Sequence, residues 1–154
     1  RAPIDINQII EASIRLASFD KNFQKLRLTT TLDSDAPHVY ADADQLQQVF
    51  LNLLLNARDA MPDGGELHVR SQYEPLSEEM TIEFADTGTG IAPEHRAHVF
   101  DPFFTTKPAG TGTGLGLAVC YGIITAHGGR IEVAPNDGRG TCIYVSLPIV
   151  ADAQ

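Results

Sequence analysis

The chain has 154 residues, 43% hydrophobic and 20% charged, which suits one compact domain over 1–154 with a core of its own and leaves little room for two. A formal charge of −9 argues against a nucleic-acid groove, which needs clustered Lys and Arg to neutralise phosphates, and no run approaches the ~18 apolar residues of a membrane span. Cys120 and Cys142 lie in apolar or β-like segments, where a buried free thiol is commoner than a disulfide.

In chain order, Ile4 to Ile6 alternates like a short strand, and Asn7 is placed to cap a helix carrying Ile9, Ile10, Ile14, Leu16 and Ala17. Leu26 to Leu32 alternates again, Pro37 to Tyr40 reads as extended, and Asp42 with Gln45 makes a capping-box-like helix start. A helical pattern over Leu46 to Met61 stops at Pro62-Asp63-Gly64-Gly65, and strands follow at about Glu66 to Tyr73 and Met80 to Ala85. Beyond Asp86 the regularity fails. The glycines, prolines and aromatics there predict a functional loop or lid, with at most a short helix over Pro93 to Val99. A helix from about Gly114 to His127 ends at Gly128-Gly129, and strands over Arg130 to Ala134 and Thr141 to Leu147 close the domain. The predicted class is α/β, a two-layer sandwich of about five mixed strands covered on one face by three helices.

Four features point to chemistry. Gly110, Gly112, Gly114 and Gly116 alternate with Thr111, Thr113, Leu115 and Leu117 and run into an apolar helix. Backbone N–H groups of such a turn, followed by a helix N-terminus, can cradle phosphate oxygens. A P-loop is absent, since Leu117 and Ala118 stand where Lys and Ser/Thr would follow, and the glycine spacing disfavours a dinucleotide fingerprint. Asn52, Asn56 and Asp59 share one helix face at i, i+4 and i+7, a polar stripe on a helix otherwise ringed by apolar residues. Such amides either bond to neighbouring backbone or offer a hard oxygen to Mg²⁺. Asp86 ends an alternating strand before Thr87-Gly88-Thr89-Gly90 and reads as an Asx-turn or as an acceptor for the exocyclic amine of adenine. Phe100, Phe103 and Phe104 could cover the core, while Lys107 just before the glycine run is either a surface lysine or a reach to a terminal phosphate.

Together these segments resemble the N, G1, F and G2 boxes of histidine kinases, in order and approximate spacing. The chain is similar, from about Asp42 to Pro148, to the catalytic and ATP-binding domain of a sensor histidine kinase, a Bergerat-fold ATPase. Residues 1–41 would then form an N-terminal strand, helix and strands, and about 91–113 the ATP lid. The resemblance implies that Asn56 coordinates Mg²⁺ and Asn52 supports the phosphate side, with Lys107 assisting catalysis. It implies that Asp86 recognises adenine, with Gly88 and Gly90 making room for the base and Thr141 helping the aspartate directly or through water. Ile91, Phe100, Asp59 and the run Gly112, Thr113, Gly114, Leu115, Gly116 and Leu117 would complete the ATP site.

Gyrase-like and chaperone-like members have a glutamate four residues before the Mg²⁺ asparagine. Asn52 stands there and cannot act as a base, which predicts slow hydrolysis and phosphoryl transfer to another group. None of His38, His68, His95, His98 or His127 lies in a His-Glu/Asp-x-x-x-Pro helix, so the acceptor histidine is expected on a dimerisation domain upstream of Arg1. The implied setting is a cytoplasmic domain of a homodimeric parent that signals to a response-regulator receiver, without nucleic acid or direct membrane contact. An anti-sigma-factor-like serine kinase and a non-catalytic nucleotide sensor are the competing readings.

Overall fold

In a computed structural model, which describes residues 1–101 and 116–149, a mixed sheet is packed under helices on one face. Strand β1 (Ala2–Ile4) leads into helix α1 (Ile6–Ala17), and a 3₁₀ turn over Phe23–Lys25 leads into β2 (Leu26–Thr31). Strand β3 (Val39–Ala41) and helix α2 (Ala43–Ala60) come next, then β4 (Gly65–Glu74) and β5 (Glu79–Asp86). The one-turn helix α3 (Pro93–Arg96), α4 (Gly116–Ala126), β6 (Arg130–Pro135) and β7 (Thr141–Pro148) complete the described elements.

The main sheet has the order β2-β4-β5-β7-β6. Strand β2 pairs parallel with β4, and the other three pairings are antiparallel. The parallel pair follows from connection length: the excursion through β3 and α2 supplies the crossover that parallel strands need, whereas β4 and β5 are joined by a short turn. Strands β1 and β3 form a separate antiparallel pair, a pairing that alternation in the sequence does not announce.

The start of α1 differs from expectation. Ile4 ends β1, Ile6 already opens the helix, and Asp5 is the cap, its carboxylate accepting the Asn7 N–H at 2.9 Å. Asn7 is thereby released from capping and tied elsewhere, donating to the Asp33 carbonyl (2.8 Å) and accepting the Ser71 hydroxyl (2.6 Å). Helix α2 begins where the capping pattern puts it, with Asp42 Oδ1 accepting the Gln45 N–H at 3.0 Å.

One continuous core joins the helices to the inner face of the sheet. Ile6 and Ile10 of α1, Val49, Phe50, Leu53 and Leu54 of α2, and Cys120 and Ile124 of α4 meet Val69, Ile82, Phe84, Ile143 and Val145. The outer face is open and holds the exposed ion pairs Arg27–Glu66 and Arg130–Glu79. Both cysteines are free and buried. Buried His127 ties the end of α4 to the start of α2: its Nε2 accepts the Asp42 N–H (3.1 Å) while its Nδ1 faces the Ile123 carbonyl (2.8 Å). No described helix is long and apolar enough to cross a membrane.

Candidate nucleotide site

Helix α2 carries its polar stripe on an accessible face, not through a dry interior. Asn52 and Asn56 are half-buried, while Leu46, Val49, Phe50, Leu53, Leu54 and Ala57 are buried around the remaining arc. An apolar ring like this one implies deep burial all round, and the structure corrects that: the arc carrying Asn52, Asn56 and Asp59 is half-buried to exposed. The sheet, α1 and α4 cover the other sides of α2, and the asparagines fall on the arc left between them, with Asn52 at its α4 edge. Asn52 hydrogen-bonds the thiol of Cys120, whose proton also points to the Val49 carbonyl (3.7 Å), so its partner is a side chain of α4 rather than nearby backbone. Burial pushes the Cys120 thiol up to about 12, with the Asn52 bond working the other way. Asn56 has no side-chain hydrogen bond among the described residues, which leaves its amide oxygen available to a hard cation.

Asp59, expected beside the nucleotide, is engaged by its neighbour: Arg58 bridges the Asp59 carboxylate (2.9 Å) and Asp20 (2.9 Å). Burial opposes the Arg58 charge, but the two carboxylates outweigh it and hold its pKa above the usual value.

Asp86 closes β5 and is 4% exposed. Its Oδ1 accepts two backbone N–H groups, from Gly88 (2.9 Å) and Thr141 (3.2 Å). The Gly88 bond is the local turn, and Thr141 meets the carboxylate directly, through its main chain. Burial raises the Asp86 pKa, and the two N–H groups partly offset the rise. Its Oδ2 has no hydrogen-bond partner among the described residues, and a buried carboxylate oxygen without one is a costly arrangement that a donor from a ligand would relieve.

The glycines of this loop have duties within the fold. Gly88 is buried, and a Cβ there would collide with the Ala60 carbonyl at the end of α2, so the close protein neighbour at this position is the helix. The Thr89 N–H donates to that same carbonyl (3.1 Å). Gly90 needs its residue type for conformation, with φ +78°. The 86–90 loop is thus fastened to the last turn of α2, one turn beyond Asn56.

Phe100 is half-buried and stacks on Tyr121 of α4, with ring centroids 5.7 Å apart. Ile91 and Leu117 are also half-buried, and Gly116, at the first position of α4, is exposed. The structure therefore joins α2, the Asp86 loop, Phe100 and α4 around one region. Lys107, Gly112, Thr113, Gly114 and Leu115, with Phe103 and Phe104, lie outside the described residues, as does most of the expected lid. Sequence reasoning missed Asn136, which donates to the Asp86 carbonyl (2.8 Å), and Arg139, which donates to the Gly88 carbonyl (3.1 Å). The glycines Gly138 and Gly140 mark a turn there but do not reveal what it touches.

An asparagine-bearing helix, a buried acid with one oxygen unpaired among the described residues and a glycine-led α4 thus meet in one place. Residues 41–151 match the family described as histidine kinase-, DNA gyrase B-, and HSP90-like ATPase. The chain belongs to this family. Among curated proteins it is 38% identical to the sensor histidine kinase ZraS of Escherichia coli (strain K12), over 95% of this chain and 30% of that protein. Among solved structures, a mycobacterial sensor histidine kinase, MprB, superposes with a TM-score of 0.84 at 29% identity, covering 95% of this chain and 97% of that one. The histidine kinase ThkA in complex with the response regulator TrrA gives a TM-score of 0.81 at 25% identity, over 97% of this chain and 42% of that one. This chain spans less than a third of the length of ZraS. Within the family it is an ATP-binding catalytic domain of the histidine kinase type, and the two-layer mixed sheet agrees with that fold.

Proposed function

We propose that this domain binds Mg²⁺-ATP and supplies its γ-phosphate to a histidine on an upstream dimerisation domain, from which a response-regulator receiver takes it. The observation that carries the ATP assignment is the geometry of Asp86, with Oδ1 taking two backbone donors and Oδ2 meeting none among the described residues. A carboxylate held this way accepts from the exocyclic amine of adenine and meets guanine with acceptor against acceptor. Asn56 fits the Mg²⁺ ligand role, since a half-buried amide oxygen without a partner among the described residues suits an ion that keeps most of its waters and takes few protein oxygens. The ion when bound would neutralise developing charge on the transferring phosphoryl group.

The residues of the chain would do the remainder by holding. Asp86 would orient the base, and main-chain N–H groups at the start of α4, from Gly116 and Leu117, would meet the phosphates. Gly112 to Leu115 and Lys107 lie outside the described residues; the same reading gives the glycine run further N–H donors and gives Lys107 a positive charge for the terminal phosphate. Asn52 offers neither a base for water activation nor a charge, which favours transfer over hydrolysis. Homodimerisation and a cytoplasmic setting follow from the same reading, and the ThkA–TrrA complex supports a receiver as partner.

The test is transfer of label from γ-³²P-ATP to a separately produced upstream helical domain. Acid-labile, base-stable phosphate on a histidine is the expected product. Phosphate on serine, or brisk hydrolysis without transfer, would overturn the proposal.

A further inference from the structure

We infer that Asn136 and Arg139, on the turn between β6 and β7, are positioning residues that set the stance of Asp86 and so the domain's preference for adenine over guanine. The inference rests on the adenine reading of Asp86 given above.

Strand β5 ends at Asp86, and the last tie to the sheet is at Thr87, whose N–H donates to the Glu66 carbonyl of β4 (3.1 Å) while its hydroxyl accepts the Glu66 N–H (3.0 Å). Beyond it the backbone to Gly90 leaves the strand. The β6–β7 turn supplies further support. Asn136 Nδ2 donates to the Asp86 carbonyl at 2.8 Å, and Arg139 Nε donates to the Gly88 carbonyl at 3.1 Å. These two bonds bracket the peptide whose N–H, that of Gly88, grips Asp86 Oδ1. The third support, the Thr141 N–H on the same oxygen, comes from the far end of the same turn.

The grip is itself held. Asn136 Oδ1 accepts the Asp137 N–H (2.9 Å), which orients the amide so that its nitrogen faces Asp86, and the Asn136 N–H closes the turn on the Gly140 carbonyl (3.2 Å). Gly140 adopts φ +105°, and a Cβ there would strike the Asp86 carbonyl, so the turn lies directly against the loop. Neither side chain belongs to the core: Asn136 is half-buried and Arg139 exposed. Truncating either removes a hydrogen bond to the loop and takes nothing from the apolar core.

A recognition carboxylate must stand within about 0.5 Å and 10–20° of its working geometry. Releasing either carbonyl lets the Gly88 peptide rotate and carries Oδ1 with it, so Oδ2 no longer meets the base in one orientation. A misplaced acceptor loses more with adenine, which it serves, than with guanine, which it opposes. The signature is thus a loss of discrimination as well as of affinity.

The experiment titrates ATP and GTP by calorimetry into the parent, Asn136→Ala, Arg139→Met and Asp86→Asn, with a melting temperature for each. Asn136→Ala and Arg139→Met are expected to melt close to the parent, bind ATP about tenfold more weakly, the scale of one hydrogen bond, and show a reduced ATP-to-GTP ratio. If Asp86→Asn loses ATP while both turn variants keep the parent affinity and ratio, the inference falls and the adenine reading stands. If Asp86→Asn binds ATP like the parent, the adenine reading falls and takes the inference with it. Should Asn136→Ala not fold, Arg139→Met answers the question by itself, since it removes the second bond and keeps the side-chain stem.

Discussion

Replacing Asp86 by Asn separates recognition from stability, because in this residue the two oppose each other. The substitution conserves volume, and the amide oxygen can keep the Gly88 and Thr141 N–H groups now held by Oδ1. The amide nitrogen then occupies the place of Oδ2 and presents a donor to the donor of the base. A hydrogen bond to a charged group contributes about 1.5–3 kcal/mol, so its loss weakens ATP binding roughly 10- to 150-fold, and the new donor–donor contact adds to that. Stability moves the other way. Burial holds the Asp86 pKa above its ordinary value, so the stability linked to this group is fully present below the unfolded value and is lost as pH rises through the folded one. At pH 7 the ionised carboxylate therefore works against the fold. The Asn variant should melt at the same or a higher temperature than the parent at pH 7, and the difference should shrink as pH falls into the carboxylate range. Calorimetric titration with ATP and thermal melts at two pH values measure both effects. Unchanged affinity, or weak binding with a clearly lowered melting temperature, would refute the reasoning.

Three further outcomes can be checked with the same instruments. Asn56→Ala should remove the Mg²⁺ dependence of ATP binding without lowering the melting temperature, since the amide has no partner among the described residues and alanine suits a helix better; retained dependence would place the ion elsewhere. Gly88→Ala should cost about 1–3 kcal/mol of stability as an overpacking substitution, because the new methyl collides with the Ala60 carbonyl, and urea melts would show it. Arg58→Met should lower the melting temperature more at pH 7 than at about pH 3, where the Asp20 carboxylate left behind loses charge. The Phe23 N–H, and after it Arg58, hold the Asp20 pKa below its ordinary value, so the stability linked to that group is present above the carboxylate range and lost as pH falls through the depressed value.

What the sequence determined by itself is the local grammar. Alternation placed β2, β4, β5, β6 and β7 to within a residue or two, and the Asp42–Gln45 spacing found the start of α2, because period and capping depend only on neighbours along the chain. Asp86 was also legible, as an acid at the point where alternation ends beside glycines. Tertiary structure decided the rest. Whether Asn52 and Asn56 are buried depends on where α4 and the sheet fall around α2. The neighbour that demands Gly88 is a carbonyl 28 positions earlier in the chain. Asp59 turned out to be gripped by the residue beside it, itself drawn toward Asp20 from the end of the first helix. Asn136 and Arg139 gave no signal at all, since an exposed turn reads alike whether it meets solvent or holds a carboxylate loop about 50 residues away. Contacts between distant segments are set by packing, and packing has no period to read.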